Sequence, residues 1–275
     1  MKGYIKNVWS FVSGTAIGTL GGLIGLGGAE FRLPLLVGFF GFVSLDAVII
    51  NKITSLIVVS FSLPFRSQSI PWGDIGLNYN IIINILSGSL LGAWIGAHYA
   101  TKMKTVILDR LIMVLLIVLA FGMIFGHNVM DGSHSPIIQD GIIRIITGVI
   151  AGFIIGMVAA VLGVAGGELI IPTLVILFGV DIKLAGSLSL CISLPTMIVA
   201  FYRYTKSGAI ELFKREKKFL LFMAVGSILG TAIGGLLIGI IPSNILVLVL
   251  GGILLISAIK TFNKQSSNSN QIKTK

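Results

Sequence analysis

Two glycine-rich stretches of this 275-residue chain carry ionisable side chains within apolar sequence. Residues 25–34 read GLGGAEFRLP, and residues 163–172 read GVAGGELIIP. Because a charge in apolar surroundings is costly, Glu30 and Glu168 are the leading candidate functional residues, and Arg32 is a further candidate. A glutamate here could exchange protons or accept hydrogen bonds at a helix start, and Arg32 could pair with Glu30 or contact an anion. The competing interpretation is that these charges lie near an interface and reach polar surroundings.

The glycines and prolines of the two stretches predict broken helices. Glycine lets the backbone leave a helix and approach a ligand, and Pro34 and Pro172 suit the first turn of a following short helix, whose N–H groups favour an anion. Irregular backbone of this kind implies a cavity. Four glycines are therefore candidate substrate-binding residues: Gly27, Gly28, Gly166 and Gly167. The alternative is that glycines only permit close helix packing, which we favour for Gly14 and Gly18.

Polar residues follow each broken stretch. The first group is Asn51, Lys52, Thr54 and Ser55, and the corresponding region of the second half contains Ser187, Ser189 and Ser193. These side chains could line a pathway for a substrate. Hydroxyl groups that satisfy carbonyls of their own helix are an equally good explanation.

The composition indicates an integral membrane protein. Hydrophobic residues make up 55% of the chain, charged residues 11%, and the mean hydropathy is +1.03, which is too apolar for a soluble domain of this length. The net charge of +10 does not indicate nucleic-acid binding, because the basic residues are spread over short connections and form no single stripe. The single cysteine, Cys191, excludes a disulfide within the chain, and we expect no metal or other cofactor.

Long apolar runs predict the membrane-spanning segments. Eight runs are long enough to cross a bilayer core of about 30 Å as helices: residues 8–28, 48–64, 81–100, 106–125, 142–164, 182–202, 219–241 and 245–259. Two shorter runs, residues 33–42 and 170–180, are predicted to be half-helices or re-entrant segments.

The basic residues predict the orientation of the chain. With the N-terminus in the cytoplasm, most of the 20 Lys and Arg residues lie at inner ends of spans, and Arg66, Arg144 and Lys183 fall outside. We therefore expect a multi-pass protein of the cell (inner) membrane with both termini cytoplasmic.

Residues recur at an offset of 138 positions. Glu30 aligns with Glu168 and Pro34 with Pro172, and glycines 14, 18, 25, 28 and 41 align with glycines 152, 156, 163, 166 and 179. We predict two repeats, residues 1–130 and 142–262, each a broken helix pair followed by three helices, and a disordered cytoplasmic tail at residues 263–275. Since each repeat would cross the membrane an odd number of times, the two are expected to be inverted, as in many secondary transporters.

Over the whole chain to about Thr261, the sequence resembles the sulfite exporter TauE/SafE family of membrane transporters. The resemblance rests on features that occur twice: an apolar helix, a glycine-rich turn, a proline about six residues after the double glycine, and a segment with Asp46 or Asp181 and hydroxyl residues. It implies a secondary transporter that moves small anions, typically sulfite or organosulfonates, often outward and without ATP. Glu30 and Arg32 stand where the family pattern is mostly aliphatic.

The sequence thus predicts an all-α integral membrane protein with about eight full transmembrane helices, two short broken or re-entrant helices and two inverted repeats. Its expected function is alternating-access transport of a small anion, as an exporter, with protons as a candidate coupling ion. Two alternatives stay open: an intramembrane enzyme acting on lipid phosphates and a passive anion channel. The enzyme has less support, because the sequence shows no paired carboxylates with a histidine and no HExxH motif.

Overall fold

The protein is helical throughout the part of the chain that the structure describes. The computed structural model describes residues 3–42, 44–99, 141–162, 164–204, 209–242, 244–246, 248–249 and 252. Within them lie ten helices and no strand: α1 (Gly3–Ile24), α2 (Ala29–Gly38), α3 (Ser44–Arg66), α4 (Trp72–Leu77), α5 (Tyr79–Tyr99), α6 (Ile142–Leu162), α7 (Gly167–Phe178), α8 (Ile182–Tyr204), α9 (Ala209–Arg215) and α10 (Lys217–Leu237). The all-α prediction is confirmed for this part of the protein.

Five helices are long and apolar enough to cross a membrane. Their apolar windows are Ile49–Arg66, Tyr79–His98, Ile142–Ala160, Ile182–Tyr202 and Lys217–Leu237. They correspond to five of the eight predicted spans. Helix α1 has 22 residues but is not among the five, because its glycines, serines and threonines lower its hydropathy. The predicted span at residues 106–125, and all but a few residues of the one at 245–259, lie outside the described residues.

Helices α2 and α7 are the two predicted short helices. They contain 10 and 12 residues, so each is about 15 to 18 Å long and cannot cross a bilayer core of about 30 Å. Pro34 and Pro172 lie inside these helices, not in their first turns. The prediction for the prolines was wrong because each helix begins directly at the glycine break, five residues before its proline.

Glycines let two pairs of helices pack backbone against backbone. On α1, a Cβ atom added to Gly14 or Gly18 would lie 2.5 Å from a carbonyl oxygen of α10. On α5, a Cβ at Gly88 or Gly92 would lie 2.0 Å from a carbonyl oxygen of α6. The packing role predicted for Gly14 and Gly18 is therefore confirmed, and it is the usual role of small residues spaced four apart in membrane helices.

The helix boundaries recur along the chain. Helix α3 begins at Ser44 and α8 at Ile182, which is 138 positions later, and the ends of these helices, Arg66 and Tyr204, are separated by the same number. Helices α5 and α10 show the same offset at both of their ends. The short helices α2 and α7 begin at the same offset as well.

The interior is formed mainly by α7 and α8. Ile171, Leu174 and Leu188 have no exposed surface, and they belong to one cluster of buried apolar side chains. In contrast, large apolar side chains such as Leu91 on α5 and Leu221 on α10 are about 60% exposed. These outer faces are suited to contact with lipid.

Candidate functional site

The two glycine breaks are built by left-handed backbone. In the first break, φ is +93° at Gly25 and +67° at Gly28, which directly precedes α2. In the second, φ is +79° at Gly166, which directly precedes α7. A residue with a Cβ atom loses about 1–2 kcal/mol in this conformation. The predicted positions of the two breaks are therefore confirmed.

The two breaks contact each other. A Cβ added to Gly27 would lie 2.5 Å from the Cβ of Ala165, the residue 138 positions later. A Cβ added to Gly167 would lie 3.1 Å from a methyl group of Leu26 and 3.2 Å from the carbonyl oxygen of Gly25. The starts of α2 and α7 thus lie at one place in the interior, although their sequences are far apart.

Arg32 is the centre of a buried polar cluster at this crossing. It is 0% exposed, and its Nη1 donates to Ser55 Oγ at 2.9 Å and to Asn51 Oδ1 at 3.3 Å. Its Nη2 donates to the carbonyl oxygen of Gly27 at 3.4 Å. Asn51 Nδ2 in turn donates to the carbonyl oxygen of Ala29 at 3.2 Å. Helix α3 therefore fixes the guanidinium directly beside the first break.

The structure brings together four of the residues proposed from the sequence: Gly27, Arg32, Asn51 and Ser55. Thr54 is buried but donates to the carbonyl oxygen of Ile50 in its own helix at 2.8 Å. Its hydroxyl group therefore satisfies a carbonyl of its own helix, which was the alternative to lining a pathway. The backbone of Glu30 lies in the first turn of α2, and its side chain is outside the described residues.

Lys52 and Glu168 are both buried. Lys52 is 5% exposed and lines a small cavity with Leu56 and Met197, which has room for about one water molecule. Glu168 is 7% exposed and lies in the first turn of α7, at the second break. Both side chains are therefore buried within the protein and not at its surface.

Among the serines of α8, Ser189 contacts the first break and Ser187 contacts Arg66. Ser189 Oγ donates to the carbonyl oxygen of Gly25 at 2.7 Å. Ser187 Oγ accepts a hydrogen bond from Arg66 Nε at 3.0 Å. The Ser193 hydroxyl is buried and has no hydrogen-bond partner in the described structure. Ser187 and Ser189 thus belong to a second polar cluster.

The second cluster contains a residue that the sequence did not identify. Arg66 is fully buried at the end of α3, two residues beyond the end of the predicted span. The predicted span ended at Pro64, but the helix continues through the proline to Arg66. An arginine two residues beyond an apolar run is the only signal that could have indicated a buried role.

Among the side chains that the structure describes, most of the buried charged ones are cationic. Within the described part of the chain, the buried charged side chains are Arg32, Lys52, Arg66 and Glu168. Three of these are cationic, and all three lie on α2 or α3. Charges at membrane depth are expensive and usually serve transported or bound ions. Buried guanidinium and ammonium groups are able to contact an anion. No group of three His, Cys, Asp or Glu side chains that could hold a metal ion occurs among the described residues.

These features define the chain as a multi-pass helical membrane protein with a cationic polar cluster where two helix breaks meet. A family model described as sulfite exporter TauE/SafE matches residues 1–123 and 148–275. The chain therefore belongs to the TauE/SafE family of membrane transporters. No match is found among curated proteins or among solved structures.

Proposed function

We propose that this protein is a secondary transporter that exports small anions such as sulfite or organosulfonates. The observation that carries the proposal is the Arg32 cluster: a fully buried guanidinium, held by Asn51 and Ser55, beside the point where two helix breaks meet. A planar guanidinium suits the oxygens of a sulfite or sulfonate group. The first-turn N–H groups of α2 add to the attraction for an anion.

The transport mechanism that we propose is alternating access between two inverted repeats. Support comes from the helix boundaries that recur at 138 positions and from the contact between Gly27 and Ala165, which are related by the same offset. Two halves that meet at such a point can tilt against each other around a shared site. The charge pattern of the sequence further supports cytoplasmic N- and C-termini.

The proposed site is not symmetric. The position equivalent to Arg32 in the second half is Ile170, whereas Asn51 and Ser55 correspond to Ser189 and Ser193. The first half would therefore supply the charge that binds the anion. The second half would supply Glu168, which we propose as the group that exchanges a coupling proton.

Flux of labelled sulfite and sulfoacetate into proteoliposomes, with and without a pH gradient, tests the proposal. We expect saturable flux, and Arg32→Gln should raise the half-saturating concentration about 10- to 100-fold, because a hydrogen bond to a charged group contributes about 1.5–3 kcal/mol. Glu168→Gln should remove the response to the pH gradient.

The matched control is Arg144→Gln, which makes the same chemical change at an arginine that contacts Phe178 away from the cluster. Its flux should stay close to that of the wild type. If Arg32→Gln transports as well as the wild type, the assignment of the anion site is wrong. Flux that never saturates would indicate a channel.

A further inference from the structure

We propose that Arg66 is a latch between the two halves of the transporter, and that the pathway opens on its side of the membrane only when this latch releases. The inference rests on the proposed alternating-access function, but its evidence is a separate set of contacts. Arg66 does not contact the Arg32 cluster through any of its four hydrogen bonds. It joins the end of α3 to α1 and α8.

The latch consists of four hydrogen bonds from one side chain. Arg66 Nη1 donates to the carbonyl oxygens of Gly22 and Leu23, at 2.8 and 2.7 Å. Its Nη2 donates to the carbonyl oxygen of Lys183 at 2.6 Å, and its Nε donates to Ser187 Oγ. The first two acceptors are in the last turn of α1, whose partial negative charge favours a cation. The other two are in α8.

The backbone around the latch is packed as closely as glycine allows. A Cβ added to Gly25 would lie 2.4 Å from the carbonyl oxygen of Gly186, and a Cβ added to Gly186 would lie 2.5 Å from Arg66 Nη2. Movement of α8 away from α1 would therefore break both the glycine contact and the arginine hydrogen bonds. Any opening between these helices requires release of Arg66.

The opposite end of α3 is held differently. There Asp46 pairs with Arg215, whose side chain is 62% exposed. Exposed ion pairs of this kind contribute little. The residue 138 positions after Arg66 is Tyr204, so the second half does not provide an equivalent arginine. The latch is thus expected on one side of the protein only.

Ser62 lies on the inner side of the latch, one helical turn before Arg66 on α3. It is 0% exposed, and its hydroxyl has no hydrogen-bond partner in the described structure. A buried hydroxyl without a hydrogen-bond partner is expected to contact water when the transport pathway opens beside it. A cysteine at this position therefore reports on opening at the Arg66 side.

The experiment measures thiol labelling in the full-length protein without substrate. Cys191 is replaced by alanine, Ser62→Cys is introduced, and a membrane-impermeant maleimide is applied separately to each face of sealed vesicles. Arg66→Gln should increase the labelling rate about tenfold from one face, which corresponds to about 1.4 kcal/mol. Arg66→Lys, which keeps the charge but not the planar fork, should give a smaller increase.

Ser227→Cys is the matched control. Ser227 is also 0% exposed and its hydroxyl also lacks a partner in the described structure, but it packs against Gly14 and Gly18 of α1. Its labelling should not change in either Arg66 variant. Unchanged labelling of Ser62→Cys, equal increases from both faces, or a parallel increase at Ser227→Cys would each overturn the latch. Because labelling needs no transported anion, a failure of the proposed anion flux would be seen separately.

Discussion

Replacement of Gly28 by alanine should destabilise the protein much more than the same change at Gly41. Both glycines have left-handed backbone, with φ of +67° and +71°, so both variants lose about 1–2 kcal/mol from the backbone alone. At Gly41 the added Cβ meets nothing within 4 Å, whereas at Gly28 it would lie 2.5 Å from Cγ2 of Ile17. Overpacking of this kind costs a further 1–3 kcal/mol or so, because the β-branched Ile17 has few alternative rotamers.

The measurement is thermal unfolding of both variants in the same detergent, with anion flux as a second readout. The expected loss is about 2–5 kcal/mol for Gly28→Ala and about 1–2 kcal/mol for Gly41→Ala. The Cβ at position 28 would also lie 3.4 Å from Nη2 of Arg32, so flux per folded molecule should fall in that variant alone. Equal unfolding midpoints for the two variants would refute the argument that the first break is closely packed.

Two further predictions concern helix packing and surface charge. Gly92→Ala should prevent normal folding, because its Cβ would lie 2.0 Å from a backbone carbonyl oxygen of α6. Gly73→Ala should fold normally, because its Cβ meets nothing within 4 Å. The yield of monodisperse protein in detergent distinguishes the two variants, and similar yields would contradict the packing argument. Asp46→Asn removes an exposed ion pair with Arg215 and should lower the unfolding free energy by less than about 1 kcal/mol. The difference from the wild type should disappear in high salt. A larger or salt-independent loss would show that the ion pair stabilises the protein more than its exposure suggests.

The sequence predicted the helix breaks because their cause is local. Gly28 and Gly166 must accept positive φ, and few residues other than glycine do so. The short lengths of α2 and α7 followed from the apolar runs between glycines. The prolines misled the prediction, since a proline in the second turn of a helix has the same sequence neighbourhood as one in the first turn.

The partners within the site could not be predicted in the same way. The contacts from Arg32 to Asn51 and Ser55 bridge about twenty positions, and their residues were proposed only as separate candidates. The bonds from Arg66 to α8 bridge more than a hundred. Contacts over such sequence separations leave no periodic pattern in the sequence. Which other helix a residue at a helix end contacts depends on tertiary packing, and this cannot be deduced from a single sequence.

The glycine-packed helix pairs have a consequence for how the protein is made. Helix α1 precedes the other described helices in the sequence, and its partner α10 begins at Lys217. The glycine face of α1 must therefore remain without its partner until the intervening helices α2 to α9 have been synthesised. The α5–α6 pair is closer in sequence and can form earlier. The α1–α10 pair can form only after α10 has been synthesised, so a chain that stops before α10 would leave the glycine face of α1 without its partner.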